Sequence, residues 1–276
     1  MPSFICAACG TEFPRSPEPP QSCPICEDER QFVPPGGQAW STHDELTRSH
    51  SNSFRQHEPN VLAISTVPQF AIGQRAFLIL AEHGNVLWDC VPMLDEATTA
   101  LVASLGGLSA IAISHPHFHT SMNRWSQAFG APVYVHADDR QWVVQSGPGL
   151  VFWEGDRHAL QPGMEIVRCG GHFAGSSVLH WADGADGRGV LFSGDTLLVA
   201  ADRRHVTFMR SYPNLLPLSP AVVGRIAARI ASCQFERVYG AFADREIVQD
   251  GKAAVARSAE RYIRAVSGNG AADPEP

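Results

Sequence analysis

From residue 60 onward the apolar positions come in short runs bounded by turn-forming residues, with stretches of helical spacing between them. Asn60 to Thr66 and Gln74 to Leu80 read as strands. Gly84-Asn85 marks the hairpin turn before a third strand, Val86-Leu87-Trp88, which ends in Asp89-Cys90. Asp95 to Leu105 has helical spacing, with Asp95 placed to cap it and Gly106-Gly107 to stop it. Ala110 to Ile113 is a short apolar run with the length of a buried strand. A helix over Ser121 to Phe129, a strand over Ala131 to Val135 and a helix from about Asp138 follow. Met164 to Arg168 predicts a strand that runs into Cys169-Gly170-Gly171-His172. Val178 to Trp181 and Gly189 to Phe192 flank Ala182–Gly187, a hairpin connection. Pro220 to Ser232 predicts an amphipathic helix, Arg237-Val238-Tyr239 a strand and Gly251 to Val266 a terminal helix. Strands alternating with helices predict an α/β architecture, whose ligand sites lie at strand ends. The tail, 267–276, is small, acidic and proline-containing, the composition of a disordered end.

Composition narrows the class. At 276 residues the chain can bury one substantial core, or one core plus a small module. A net charge of -7 argues against a nucleic-acid or anionic-membrane binder, since those carry a basic face. No apolar run reaches the ~18 residues that span a bilayer. The first residues lack the basic and apolar regions of a secretory signal, and seven cysteines do not pair evenly. These features predict a reducing, cytoplasmic setting.

Residues 1–33 read as a separate four-cysteine module. Cys6-Ala7-Ala8-Cys9 and Cys23-Pro24-Ile25-Cys26 are two C-x-x-C pairs. Two residues between cysteines let both sulfurs of a tight turn face one cation, and two such turns complete a tetrahedral four-thiolate set. The spacing predicts a structural zinc ion, which would supply the folding free energy of a segment too short for its own core. The Cys-Gly and Cys-Pro-x-Cys turns resemble rubredoxin knuckles, which keeps iron as an alternative. Such a module could also dock a protein partner. Pro34-Pro35-Gly36-Gly37 ends the module, and the polar stretch 34–59 reads as a linker that packs on the main domain or forms a short helix.

The densest chemistry lies in Ser114-His115-Pro116-His117-Phe118-His119-Thr120, after the Ala110–Ile113 run. Imidazoles at alternate positions can share one side of an extended backbone, and neutral imidazole suits zinc or iron. Gly170-Gly171 lets the chain turn tightly and bring His172 close. Asp195, in Ser193-Gly194-Asp195-Thr196 at the end of another strand, can add a carboxylate oxygen.

With Asp89, His115-x-His117, Gly171-His172 and Ser193-Gly194-Asp195-Thr196 in this order, 60–266 resembles the metallo-β-lactamase superfamily. The resemblance implies a four-layer αββα sandwich with a metal site at one edge. It also implies a choice among hydrolysis of lactams, thioesters or phosphodiesters and, with iron, persulfide oxidation; fold alone does not choose. The superfamily loop usually reads H-x-H-x-D-H, whereas here His119 stands at the Asp position and Thr120 at the last His. A Gly-His that normally follows the last core strand is Gly240-Ala241. The resemblance therefore implies a mononuclear zinc or iron site of His115, His117, His172 and Asp195. His119 would take over the proton-handling carboxylate's role, as its free pKa of ~6.5 permits. The leading expectation is a metal-dependent hydrolase of a small ester, thioester or related molecule. A persulfide-dioxygenase-like iron oxygenase and a catalytically degenerate scaffold are the alternatives. Asp202, Arg203, Arg204, Arg210 and Tyr212, on the segment after Asp195, are further candidates for substrate contact.

Overall fold

The strand Arg75–Ile79 is buried at every position, so it needs neighbours on both of its faces. Side chains alternate along a strand. Phe77 and Ile79 join one apolar cluster while Ala76 and Leu78 join another. The computed structural model, which describes residues 1–268, shows what each face meets. Arg75–Ile79 lies within a seven-stranded mixed sheet ordered Leu150–Trp153, Val133–His136, Ala110–Ala112, Val86–Trp88, Arg75–Ile79, Val61–Val67, Ser51–Glu58. A six-stranded mixed sheet is ordered Arg157–Gln161, Met164–Arg168, Ser177–Trp181, Val190–Phe192, Arg237–Tyr239, Glu246–Ile247.

The two sheets share an inner core in which Phe77, Trp88 and Ala112 of the first meet Leu179, Phe192 and Tyr239 of the second. The outer face of the first sheet is covered by Val102 of the helix Glu96–Ser104 and by Met122 and Trp125 of the helix Met122–Phe129. Val223, Ile226 and Ile230 of the helix Pro220–Ile230, with Ala254 and Val255 of Gly251–Val266, cover the second. The result is the expected α/β architecture, four layers in the order αββα. Asp95 caps its helix as its type and place predict, accepting from the backbone N–H of Thr98.

Two stretches depart from the sequence reading. Residues 34–59 contain the short helix that was the alternative to a linker, and two strands that were not expected. Trp40–Thr42 pairs with Ser3–Cys6, His43–Ser49 is a helix closed by a Thr42–Glu45 capping box, and Ser51–Glu58 is the edge strand of the seven-stranded sheet. The edge strand is polar because one of its sides faces water, so hydrophobicity does not announce it. The helix expected from Asp138 is a 3-10 turn over Ala137–Trp142. The disordered tail read over 267–276 lies, from residue 269 on, outside the described residues.

The N-terminal segment forms a three-stranded sheet of Glu12–Arg15, Ser3–Cys6 and Trp40–Thr42, with a short helix at Pro24–Glu27. Trp142 and Val144 of the main domain pack into its cysteine cluster. No described helix is long and apolar enough to cross a membrane.

Candidate metal centre

Strands of both sheets end at one edge of the sandwich and deliver four buried side chains there. His115 follows Ala110–Ala112, His172 follows Met164–Arg168, Asp195 follows Val190–Phe192, and His117 lies in the turn after His115. The Ser177 N–H donates to the Ser114 carbonyl at 2.9 Å and ties the two sheets together at this edge. One nitrogen from each histidine and one oxygen from Asp195 lie within 4.8 Å of one another. His172 Nε2 is 3.3 Å from His117 Nδ1, and His115 Nε2 is 3.5 Å from Asp195 Oδ2. A tetrahedron with ligand bonds of about 2.0–2.1 Å has edges of about 3.3–3.4 Å, so the spacing fits one metal ion.

The electrostatics agree with the geometry. Burial pushes His115 and His172 down to about 3 and His117 well below the usual range, which leaves neutral imidazoles ready to ligate. Burial pushes Asp195 up to about 6. Asp195 Oδ1 and His115 Nε2 are buried with no hydrogen-bond partner. Orphaned polar atoms of this kind are costly to bury, and a cation satisfies them.

Neighbouring groups fix the ligand nitrogens. Asp89 Oδ1 accepts from the Ser114 N–H at 2.7 Å and Asp89 Oδ2 from the Ser114 hydroxyl at 3.0 Å. The Ser114 oxygen can then accept from His115 Nδ1, 2.9 Å away, and His115 Nε2 is left for the metal. His172 Nδ1 donates to the Met209 carbonyl at 3.2 Å, which turns its Nε2 the same way. Gly194 has φ +50, and a Cβ on it would stand 2.6 Å from Ser114 Cβ and Oγ. Only glycine fits between Asp195 and the residue that orients His115.

His119 is not in the group. The loop is not extended as the sequence reading assumed. Pro116–Phe118 is a 3-10 turn, in which each residue advances the direction by about 120°, so His119 does not follow His117 to the same side, while His115 precedes the turn on extended backbone. His119 lines a separate small cavity with Thr11, Glu12 and Gln145, and neither of its ring nitrogens has a hydrogen-bond partner. His119 is not among the residues lining the cavity over the four clustered side chains. Among the other sequence candidates only Tyr212 reaches the site, and its hydroxyl donates to the Asp195 carbonyl at 3.2 Å. Asp202 accepts from the Arg204 and His205 N–H groups, Arg203 pairs with Glu246, and Arg210 with Glu29. A further group, Glu165, His180 and Cys233, is already engaged. Arg157 bonds Glu165 and lies 3.8 Å from Cys233 Sγ, and His180 Nε2 donates to the Gln234 carbonyl.

The four module cysteines also converge. Cys6 and Cys26 sulfurs are 3.6 Å apart and those of Cys9 and Cys23 3.7 Å, far beyond a disulfide bond of about 2.05 Å. The edge of a tetrahedron with bonds of about 2.3 Å is about 3.8 Å, so these four also fit one ion. Close contact among the four sulfurs, with Cys23 foremost, lowers the Cys6 pKa and raises those of Cys9 and Cys26. All seven cysteines are free.

No model of a known protein family matches the chain. The uncharacterized protein YmaE of Bacillus subtilis (strain 168) is 44% identical over 269 residues, 97% of this chain and 98% of YmaE. The chain belongs to the YmaE family. Among solved structures, the metallo-β-lactamase DIM-1 superposes with a TM-score of 0.57 at 13% identity, over 78% of this chain and 98% of DIM-1. A B3 metallo-β-lactamase with an active-site glutamic acid gives 0.54 at 17%, over 78% of this chain and 89% of that one. At these identities the likeness is one of fold, and this YmaE-family chain has the metallo-β-lactamase fold.

In this YmaE-family chain the metal edge opens into a cavity of about 410 Å³ whose wall includes His117, His172, Asp195 and Tyr212. Sequence reasoning missed the rest of the wall: Phe32, Ile72 and Phe242 are ordinary apolar residues, and the Cys6–Cys9 motif gives no sign that Ala7 within it faces this cavity. It also missed the Met209 carbonyl, since any residue supplies one.

Proposed function

We propose that this protein is a metal-dependent hydrolase acting on a small ester, thioester or related molecule, with one zinc or iron ion held by His115, His117, His172 and Asp195. A structural zinc ion on Cys6, Cys9, Cys23 and Cys26 completes the holoprotein. The observation that carries the reading is the convergence, within 4.8 Å of one another, of donor atoms from three neutral imidazoles and a carboxylate with an unpartnered oxygen, three of the four residues lining a cavity. Among the described residues no second group of three candidate ligands adjoins this one, and the position after Gly240 is Ala241, which supports a single ion. The free cysteines fit a reducing, cytoplasmic setting.

A metal ion bound there would polarise a carbonyl oxygen and lower the pKa of a coordinated water. The chain does the rest. Burial keeps the imidazoles neutral, and the Asp89–Ser114 pair and the Met209 carbonyl aim two of them. Among the described residues lining the cavity, the only titratable groups are His117, His172, Asp195 and Tyr212, and Tyr212 already donates its proton. We assign the chain no separate general base.

A silent metal site is a second reading with one observation behind it. Four protein ligands fill a tetrahedron, whereas catalytic zinc sites keep a position open. The cavity over the ligands favours catalysis, with a fifth ligand entering from it. Elemental analysis of the purified chain, an ester, thioester, lactam and phosphodiester panel, and oxygen consumption with persulfide separate the readings. Metal-dependent turnover in the panel supports the hydrolase. Oxygen uptake with bound iron supports the oxygenase, and inactivity in every assay supports the silent site.

A further inference from the structure

The cavity at the metal edge is built from two parts of the chain. His117, His172 and Asp195 form one side, and Ala7 and Ala8 of the N-terminal module form another. Ala7 and Ala8 are the two residues between Cys6 and Cys9, so this wall is the turn that a metal on the cysteines would hold. Phe32, 46% exposed, stands at the rim, and Ile72 and Phe242 continue an apolar surface on the main domain. Among the described lining residues there is no lysine, arginine or glutamate.

The module is fastened at this mouth. The Arg30 guanidinium, paired with Asp28, lies 3.9 Å over the ring of Phe173, the residue after His172. Asn214 Nδ2 donates to the carbonyls of Glu29 and Gln31 at 2.9 and 3.0 Å. Glu12 pairs with Arg124, and a Cβ on Gly10 would stand 2.6 Å from Pro92 Cγ. These contacts come from several parts of the module, and together they hold the Ala7-Ala8 turn opposite the metal ligands.

We propose that the four-cysteine module is the specificity wall of the site, and that Ala7, Ala8 and Phe32 receive the uncharged, apolar part of the substrate while its reacting carbonyl lies toward His117, His172 and Asp195. The inference rests on the hydrolase reading and narrows its substrate class to neutral esters, thioesters or lactones with a short apolar chain. Charge decides against carboxylate- or phosphate-tailed molecules, because no fixed cation in the wall would repay the loss of their hydration. A cavity of about 410 Å³ falls in the lower part of the ~300–1,000 Å³ range of small-molecule sites.

The test uses the full-length, metal-loaded chain and two readouts. Hydrolysis compares p-nitrophenyl hexanoate with the p-nitrophenyl monoester of adipic acid, which has a carboxylate at the end of a similar tail. Binding of hexanamide is followed by ligand-observed NMR and needs no turnover. The expected result is a kcat/KM about tenfold or more higher for the hexanoate, and hexanamide binding that weakens about tenfold in Cys23→Ser. Phe32→Arg, at an exposed position, should keep the fold by circular dichroism and the metal content, weaken hexanamide binding and narrow the preference for the neutral ester. Absence of hexanamide binding to the parent, or binding indifferent to both substitutions, overturns the proposal. So does equal or better hydrolysis of the carboxylate-tailed ester, which leaves the hydrolase reading intact. Hexanamide binding as expected with no ester turned over sustains the wall and removes the hydrolase reading instead.

Discussion

Pro116 starts a 3-10 turn between two histidines, and that turn decides which imidazoles meet. His115 and His117 reach Asp195 and His172, while His119 is turned toward Thr11 and Glu12. His117→Ala should therefore lose the main-domain ion and keep the module's. His119→Ala should keep both and alter metal-dependent turnover less than the ~10²–10⁴-fold expected of a general base. Elemental analysis and initial rates on the two variants check this, and loss of the main-domain ion in His119→Ala would show that the residue is a ligand. A second residue-scale prediction concerns Asp139, which is buried and accepts from the Gly175 N–H at 2.8 Å, three residues past His172. Burial pushes its pKa from 3.8 up to about 7, against that hydrogen bond and the nearby charges of Arg30 and Arg168, while Asp138 adds to the rise. The folded state therefore holds a proton that the unfolded chain has shed between these two values. The stability linked to this proton is full below about pH 4 and lost as pH rises through about 7. Asp139→Asn keeps an acceptor for Gly175 and removes the titration. Its urea midpoint should fall less than the parent's between about pH 5 and about pH 8, and parallel curves would contradict the assignment.

The module's strands and short helix are too small to enclose an apolar core, and the buried centre they share is the cysteine cluster itself with Ile25, Phe13 and parts of the main domain. Cys23→Ser should release the module's ion and unfold residues 1–33. The αββα domain should stay folded, because its three apolar clusters contain no residue of the module. Limited proteolysis with elemental analysis would show cleavage confined to the first residues, and global unfolding would contradict the independence of the core. Gly10→Ala tests the docking separately. It strains a residue at φ +84 and drives a methyl into Pro92, so the module should loosen while its ion remains bound. Much of this organisation was legible in the sequence, because buried strands such as Arg75–Ile79 show as short apolar runs and amphipathic helices such as Pro220–Ile230 through their period. The edge strands Ser51–Glu58 and Arg157–Gln161 were not, since their polar residues take their conformation from the neighbouring strand rather than from burial. The clustered residues His115, His117, His172 and Asp195 stood out as rare residue types at strand ends, whereas the direction of His119 depended on a local turn that residue type alone does not reveal.

At the scale of the whole molecule, the two sheets set the metal edge and the N-terminal module faces it across one cavity. His115 and His117 come from the seven-stranded sheet, His172 and Asp195 from the six-stranded one, and the inner core of Phe77, Trp88, Phe192 and Tyr239 keeps the sheets in register. The measurement that bears most directly on this account is hydrolysis of a neutral ester or thioester while metal is returned to the metal-stripped main site and its occupancy is followed. The account predicts no turnover without the ion, a rate that rises in proportion to main-site occupancy, and saturation at one ion bound by His115, His117, His172 and Asp195. Absence of turnover at full occupancy across the ester and thioester panel, or a rate that climbs further as a second ion enters about 3.5–4 Å from the first, would contradict it.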